Sequence, residues 1–286
     1  MSTPTGTPRR VAKVTIEAPV VSFRYPHFLI GRQPSFDVPP PSTIFGHVAS
    51  ALGEWPSLPI HFAYAFQSRG RARDLEHQQI ISRTSGKLPG DVVDPLWRPP
   101  MPAPGKKLTK KAQQPRLLEK TTEAVVQPHE RDFLFDARLE LYLDPPELAE
   151  AFRSPTFTVV LGRSQDLACV QRVEIVDLSP ATQGYVERTI LPGELRSRLP
   201  WGVTTLMPRY IGPAPERQPA FAPYIVLHER VYVGYEQRFS SRQLLTLHDA
   251  AETWWADTAT PEDRGGRRLL WFHTIDPAEF AHASAR

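Results

Sequence analysis

The chain has 286 residues, 41% of them hydrophobic, with 34 Lys/Arg against 31 Asp/Glu and 31 prolines. A chain of this length buries a full core in one large domain or two small ones, and it has no run of about 18 apolar residues with which a helix would cross a bilayer. The opening MSTPTGTPRR has no hydrophobic stretch behind its arginines, so the expectation is a cytoplasmic protein with neither a secretory signal nor a membrane partner. Cys169 stands alone, which excludes an internal disulfide and a cysteine-rich metal site; its strand-like surroundings predict a buried, inert thiol.

Val14 and Ile16 alternate with Lys13, Thr15 and Glu17, the period of a first strand. Residues 23–54 then read FRYPHFLIGRQPSFDVPPPSTIFGHVASALGE. Pro39, Pro40 and Pro41 donate no backbone hydrogen bonds and hold φ near the polyproline value, so the chain reaches the following helix stiff and extended. Ser42 or Thr43 is placed to cap that helix, predicted over 43–53, and its free amides and positive dipole end suit phosphate. Ile44, Val48 and Leu52 share one face, Gly46, Ala49, Ser50 and Ala51 keep the rest slim, and Gly53 is a permissive C-terminal residue. Ser42, Thr43 and Gly46 are therefore candidate phosphate contacts, with the polar Arg24 and His27 before them as candidates on the same segment.

Ile60, Phe62, Tyr64 and Phe66 alternate as a second strand. The three aromatics suit either core or base stacking, and core is preferred because one face of such a sheet is covered by helices. Residues 69–120 carry twelve Lys/Arg against five acids, a net +7, leaving 22 against 26 elsewhere. The segment is rich in proline and poor in periodicity, which reads as a long insertion: a solvated loop, or a nucleic-acid arm. Its candidate phosphate contacts are Arg69, Arg71, Arg73, Arg83, Lys87, Lys106, Lys107, Lys110 and Lys111.

Phe133, Phe135, Ala137, Leu139, Leu141 and Leu143 alternate over eleven residues, the strongest strand signal in the chain. Pro145-Pro146 opens a short helix, ELAEAFR; TFTVVL (156–161) supplies a fourth strand, and CVQRVEIVDL (169–178) another edge. The order βαββαβ predicts an α+β fold with a ferredoxin-like, RNA-recognition-motif-like core. Gly162, Arg163, Ser164 and Gln165 follow the fourth strand; a glycine allows close approach, and a guanidinium, a hydroxyl and an amide suit a sugar-phosphate backbone, although a plain strand-ending turn has the same composition.

The 23–54 segment, the preceding VTIEAPVVSFRYP and the later VVLGRSQD resemble the CRISPR-associated protein 5 family, over residues 11–178. The resemblance implies a RAMP-type core with a basic β-hairpin thumb, here 69–131, and a non-catalytic subunit of a type I Cascade complex. Such a subunit binds the 5′ handle of CRISPR RNA, caps the backbone subunits and, with the large subunit, holds target DNA beside its PAM. The β-rich extension 179–286 resembles that of the type I-B or related branches.

No Walker loop, GxSxG, HExxH or paired CxxC occurs, so neither a nucleotide cofactor nor a metal is expected. A metal-independent endoribonuclease, which one branch of the family is, needs only a general base and a cation; Tyr25, His27, His47, Lys87 and His129 are the candidates, with His47 better suited to packing. In the extension, 186–191, 224–233 and 269–275 read as strands. Trp254, Trp255, Trp271 and Phe272 are core anchors or a docking surface, with core favoured for at least one of each pair.

Overall fold

The computed structural model describes residues 7–28, 31–80, 83–87, 97–100, 102, 105, 107–116, 119–121, 125–199, 201–213, 217–234, 244–245, 254–263 and 266–281. They form two compact units, Leu75–Glu130 and the remainder of the chain. The larger unit is built on β1 (Arg9–Val21), β2 (Ile60–Gln67) and β5 (Cys169–Ala181), with residues 70–74 of β3 (Gly70–Ile80) and 131–144 of β4 (Val125–Asp144), and with α1 (Pro41–Leu52) after β1 and α2 (Leu148–Arg153) after β4. Three-stranded packing follows from β6 (Thr189–Pro192), β7 (Val203–Ile211) and β8 (Pro219–Leu227), while β9 (Trp254–Asp257), β10 (Leu269–Leu270) and β11 (His273–Ile275) return to the main sheet. That sheet runs β10-β9-β5-β1-β4-β2-β11, with β3 also paired to β4, and the pairs of β1, β2, β4, β5, β9, β10 and β11 along it are antiparallel.

One face of the sheet and the two helices share a core of Val14, Ile16, Phe62, Tyr64, Leu139 and Leu141 with Ile44, Phe45, Val48, Leu148 and Phe152. Each such side chain, fully removed from water, stabilises the fold by roughly 1.5–3 kcal/mol. Phe62, Tyr64 and Phe66 are all buried here, so these aromatics are core. The Tyr64 hydroxyl donates to the Pro39 carbonyl at 2.8 Å, which ties the proline run to the sheet and fixes where α1 begins. On the opposite face Lys13 Nζ lies 2.6 Å from Asp257 Oδ2, and the Tyr142 hydroxyl donates to the same carboxylate at 3.0 Å, joining β9 to the centre of the sheet.

Several local expectations are corrected. Helix α1 starts at Pro41 rather than 43, its N-cap is Pro40, and no side chain caps it. Proline at the first helical position is already preorganised and lacks the N–H a cap would satisfy, and the Pro40 carbonyl takes the Thr43 and Ile44 amides at 2.9 and 3.3 Å. Ser42 and Thr43 therefore sit inside the first turn. The stretch 156–161 is not a strand: Thr156 and Phe157 donate to Ala51 and Ser50, using the orphan carbonyls at the end of α1 instead of a ladder. The fourth strand is β5, lying beside β1 rather than at an outer edge, and Cys169 at its start is exposed because that strand's outer residues face solvent.

The alternation expected from Phe133 to Leu143 breaks at Asp136. Leu134, Ala137, Leu139, Leu141 and Leu143 are in the core while Phe133 and Phe135 are half-buried. Asp136 has φ +54°, and this left-handed residue inverts the parity of side chains on either side of it. The facing stretch of β1 inverts too, since Ala18 and Val21 are both core residues. Among the described residues, β6 to β11 all fall in the larger unit. Trp254 is buried against Trp271 at 5.1 Å, and the strand it begins was not legible from the sequence.

Gly53 caps α1 with φ +84°, and an added Cβ would lie 2.6 Å from the Thr156 side chain, whereas a Cβ at Gly46 meets nothing within 4 Å. Gly53→Ala should cost about 1–2 kcal/mol from the left-handed backbone. Gly46→Leu should change stability by less than about 0.5 kcal/mol. Urea midpoints of the two variants check this; equal losses would show that the half-buried face Ser42, Gly46, Ser50 is packed.

Candidate nucleic-acid interface

Asp132, on β4, is 3% exposed and faces three guanidinium groups. Arg73 Nε lies 3.0 Å from its Oδ1, Arg32 Nη2 3.1 Å and Arg71 Nη1 3.5 Å from its Oδ2. Burial alone would raise this carboxyl, but hydrogen bonds and charge from Arg73 and Arg32 hold it below the ordinary carboxylate value. Arg71 also donates to the Ser35 carbonyl at 2.8 Å and pairs with Asp37. Two of the arginines read as phosphate contacts thus also neutralise a buried acid. Neither Asp132 nor Arg32 carries a sequence motif that would have revealed this role.

Beside this cluster is a cleft of about 690 Å³ with Arg69, Arg71, Arg138 and Arg188 on its walls and Glu17, Asp37, Asp136 and His228 among them. Its floor includes Phe66 and Leu134 from the core. Arg138 pairs with Glu17 at 2.9 Å, while Arg69 and Arg188 are exposed and, among the described residues, have no acidic partner. Gly70 admits the close pass of β3 over β4: a Cβ there would lie 2.7 Å from the Phe135 ring. Both non-glycine residues at φ +54°, Asp136 and Arg188, line this cleft, and strained backbone of that kind concentrates at functional sites.

His228 Nε2 lies 3.4 Å from Asp37 Oδ2. The hydrogen bond to Asp37 raises its pKa above the ordinary 6.5, and the same contact lowers Asp37. Nothing in the sequence near His228 signals this pairing, which joins residues 191 positions apart.

The remaining candidates are scattered. Arg24 and His27 are exposed, and His27 stacks on Phe221 at 5.2 Å. Gly162 has φ +110°, and a Cβ there would lie 2.8 Å from the carbonyl oxygen of Ser22, the residue that follows β1, so this close approach needs a glycine. Arg163 is paired with Asp166 at 2.8 Å, and Asp166 also accepts from the Ser22 amide at 3.0 Å; Ser164 and Gln165 are exposed. Of the nuclease candidates, Tyr25 stacks on Phe36 at 3.7 Å. His129 is buried. His47 packs against Phe152, and burial pushes its pKa down to about 4.

In the smaller unit Arg83–Lys87 pairs antiparallel with Glu119–Thr121, so the basic segment contains a ribbon. Lys107, Lys110 and Lys111 are exposed and have no acidic partner among the described residues; Lys106 lies outside those residues. No helix among the described residues is long and apolar enough to cross a membrane, and no cluster of three metal-ligating side chains occurs among them.

Two outcomes test this geometry. Asp132→Asn should cost about 1–3 kcal/mol at neutral pH by removing the charge and one of the two acceptor oxygens that three arginines face. Because the folded carboxyl titrates below its unfolded value near 3.8, its contribution is present above that pH and is lost as pH falls through the folded value; the variant should lack this part of the acid unfolding curve. For His228, raised in the folded state, the contribution is present below pH 6.5 and fades as pH rises through the folded pKa. Asp37→Asn should bring the His228 ring titration, followed by NMR, down toward 6.5; an unmoved titration would show that the pair does not form.

Residues 12–218 match the model of the family described as CRISPR-associated protein (Cas_Cas5). No curated protein sequence matches the chain. Among solved structures, a chain of a "CRISPR RNA-guided surveillance complex" is similar at 16% identity over 84% of this chain and 95% of that one, with a TM-score of 0.44. A chain of the "Type III-B Cmr-beta bound to cognate target RNA and AMPPnP" is 12% identical over 78% of this chain and 86% of that one, with a TM-score of 0.41. On the family match, which takes in more than two thirds of its residues, the chain belongs to the CRISPR-associated protein 5 family.

Proposed function

We propose that the chain is a subunit of a type I Cascade effector complex that binds the 5′ handle of CRISPR RNA without cleaving it. In this reading it caps the backbone subunits and supports the large subunit at the PAM-proximal end of target DNA. The core follows the ferredoxin-like plan, with β5-β1-β4-β2 as its four strands, and the ribbon of the basic segment is its thumb. The observation that carries the reading is the positive charge gathered in one segment: Lys107, Lys110 and Lys111 are exposed with no acidic partner among the described residues, at no benefit to a core and with the local density that phosphate rewards.

A second reading, a metal-independent endoribonuclease, is favoured by one observation. His228, paired with Asp37 beside Arg71, has the acid–base group and the cation that such chemistry needs.

Replacing Lys107, Lys110 and Lys111 with alanine should weaken binding of repeat RNA and lower the log–log salt slope by roughly two units, since each single-strand phosphate contact contributes about 0.7. An unchanged slope would make the segment a solvated loop. Labelled repeat RNA incubated with the chain in chelator should stay intact; specific cleavage abolished by His228→Gln would establish the nuclease instead.

A further inference from the structure

The cleft is not isolated. A second cavity, of about 330 Å³, is lined by Trp201, Val203, His228, Glu229 and Arg230, and His228 and Leu227 line both. We propose that the two cavities form one track for single-stranded RNA, with the phosphates held at Arg69 and Arg188, His228 at the junction and Trp201 as the platform on which a base stacks. This rests on the RNA-binding reading above. It goes beyond the family resemblance, because His228 and Arg230 lie outside residues 12–218, where the family match ends.

The Trp201 side of the track is built to stay rigid. Trp201 is 42% exposed, although a tryptophan gains most by burial. It is held outward by a tight turn: Gly202 has φ +95°, and a Cβ there would lie 2.6 Å from Ile225. The Arg196 guanidinium pins the same turn, donating to the carbonyls of Leu199, Trp201 and Gly202 at 3.3, 3.4 and 3.1 Å. A backbone fixed this way limits where the indole can reach, so less freedom is lost when a base stacks on it, and stacking is tolerant of sequence because every base has a π-face.

The charges on the two sides of His228 differ in a way that suits one strand. In the first cavity, Arg71 and Arg138 are neutralised by Asp37, Asp132 and Glu17, while Arg69 and Arg188, whose guanidinium donates to the neutral Gln67 side chain, keep their charge for phosphates, with Asp136 as an acceptor for a sugar hydroxyl or a base amine. In the second, the Arg230 charge is taken up by Glu187 and Asp263 and its guanidinium lies 3.6 Å over the Tyr185 ring. It therefore forms a wall, and the exposed Glu229 turns phosphate away while accepting from a base edge. Phosphate on one side and base on the other is the arrangement by which a cationic groove with an aromatic step holds a single strand.

The test uses the full chain and a short single-stranded RNA carrying one 2-aminopurine, placed at successive positions. At one position wild-type binding should quench the 2-aminopurine. Trp201→Ala should abolish that quench and weaken binding about five- to hundredfold, while Trp201→Phe keeps a reduced quench and shows that the fold is intact. Arg69→Ala with Arg188→Ala should leave the quench at saturation but lower the salt slope by about 1.4. Wild-type quench and affinity in Trp201→Ala, or an unchanged slope in the double arginine variant, would overturn the track. If those variants bind normally and only the Lys107, Lys110, Lys111 variant is weakened, the RNA-binding reading stands without it. A wild-type chain that binds no RNA would overturn both.

Discussion

A carboxylate nearly removed from water must be neutralised, and at Asp132 this requirement organises the surface around it. Its three arginines come from the short strand at Arg32–Gln33 and from β3, so each of those backbones is positioned by where its guanidinium has to reach. Arg71 passes the constraint on, from Asp132 to Asp37 and from Asp37 to His228 on the far side of the cleft. Charged groups from four separated stretches of sequence are thereby coupled. Coulombic attraction weakens little with salt when one member is buried, so the arginines around Asp132 hold their places at ionic strengths that strip a polyanion from exposed lysines.

Arginines paired with an acid and arginines without one are different tools. Arg32, Arg71 and Arg73 face a buried acid and Arg163 is clamped to Asp166; the cost of breaking such pairs limits how far these side chains can turn toward a ligand. Arg69 and Arg188 carry no such debt. The chain thus spends part of its basic excess on architecture, and a count of positive residues overstates the charge available to a partner.

Much of the core was legible because period-two alternation and proline chemistry are local. The strands around Val14, Phe62 and Leu139 and the helix after Pro41 announce themselves within ten residues. What was not legible depends on distance. No local pattern says that Asp132 will be buried among arginines, that Asp37 will meet His228, or that Trp254 begins a strand beside β5. The 156–161 stretch failed for a related reason: its composition is that of a strand, but the open carbonyls of α1 claimed its amides first. Asp136 hid a parity switch that an uninterrupted alternation cannot reveal.

The strands that complete both ends of the main sheet come late in the sequence, from residues 254–275. β11, residues 273–275, pairs with β2 at 60–62, and β9 pairs with β5 only after some seventy intervening residues. Loop closure over such separations is slow, and non-local pairing of this kind delays folding. During synthesis the outer edges of β2 and β5 therefore stay open until the last strands are made, exposing the backbone groups through which nascent chains associate. In the finished fold β11 covers β2 at residues 60–62 and β9 covers β5 at residues 178–181, and the sheet ends on strands of only three and two residues, β11 and β10, too short to template a neighbour. A chain truncated before residue 254 would keep most of its core and lose this protection.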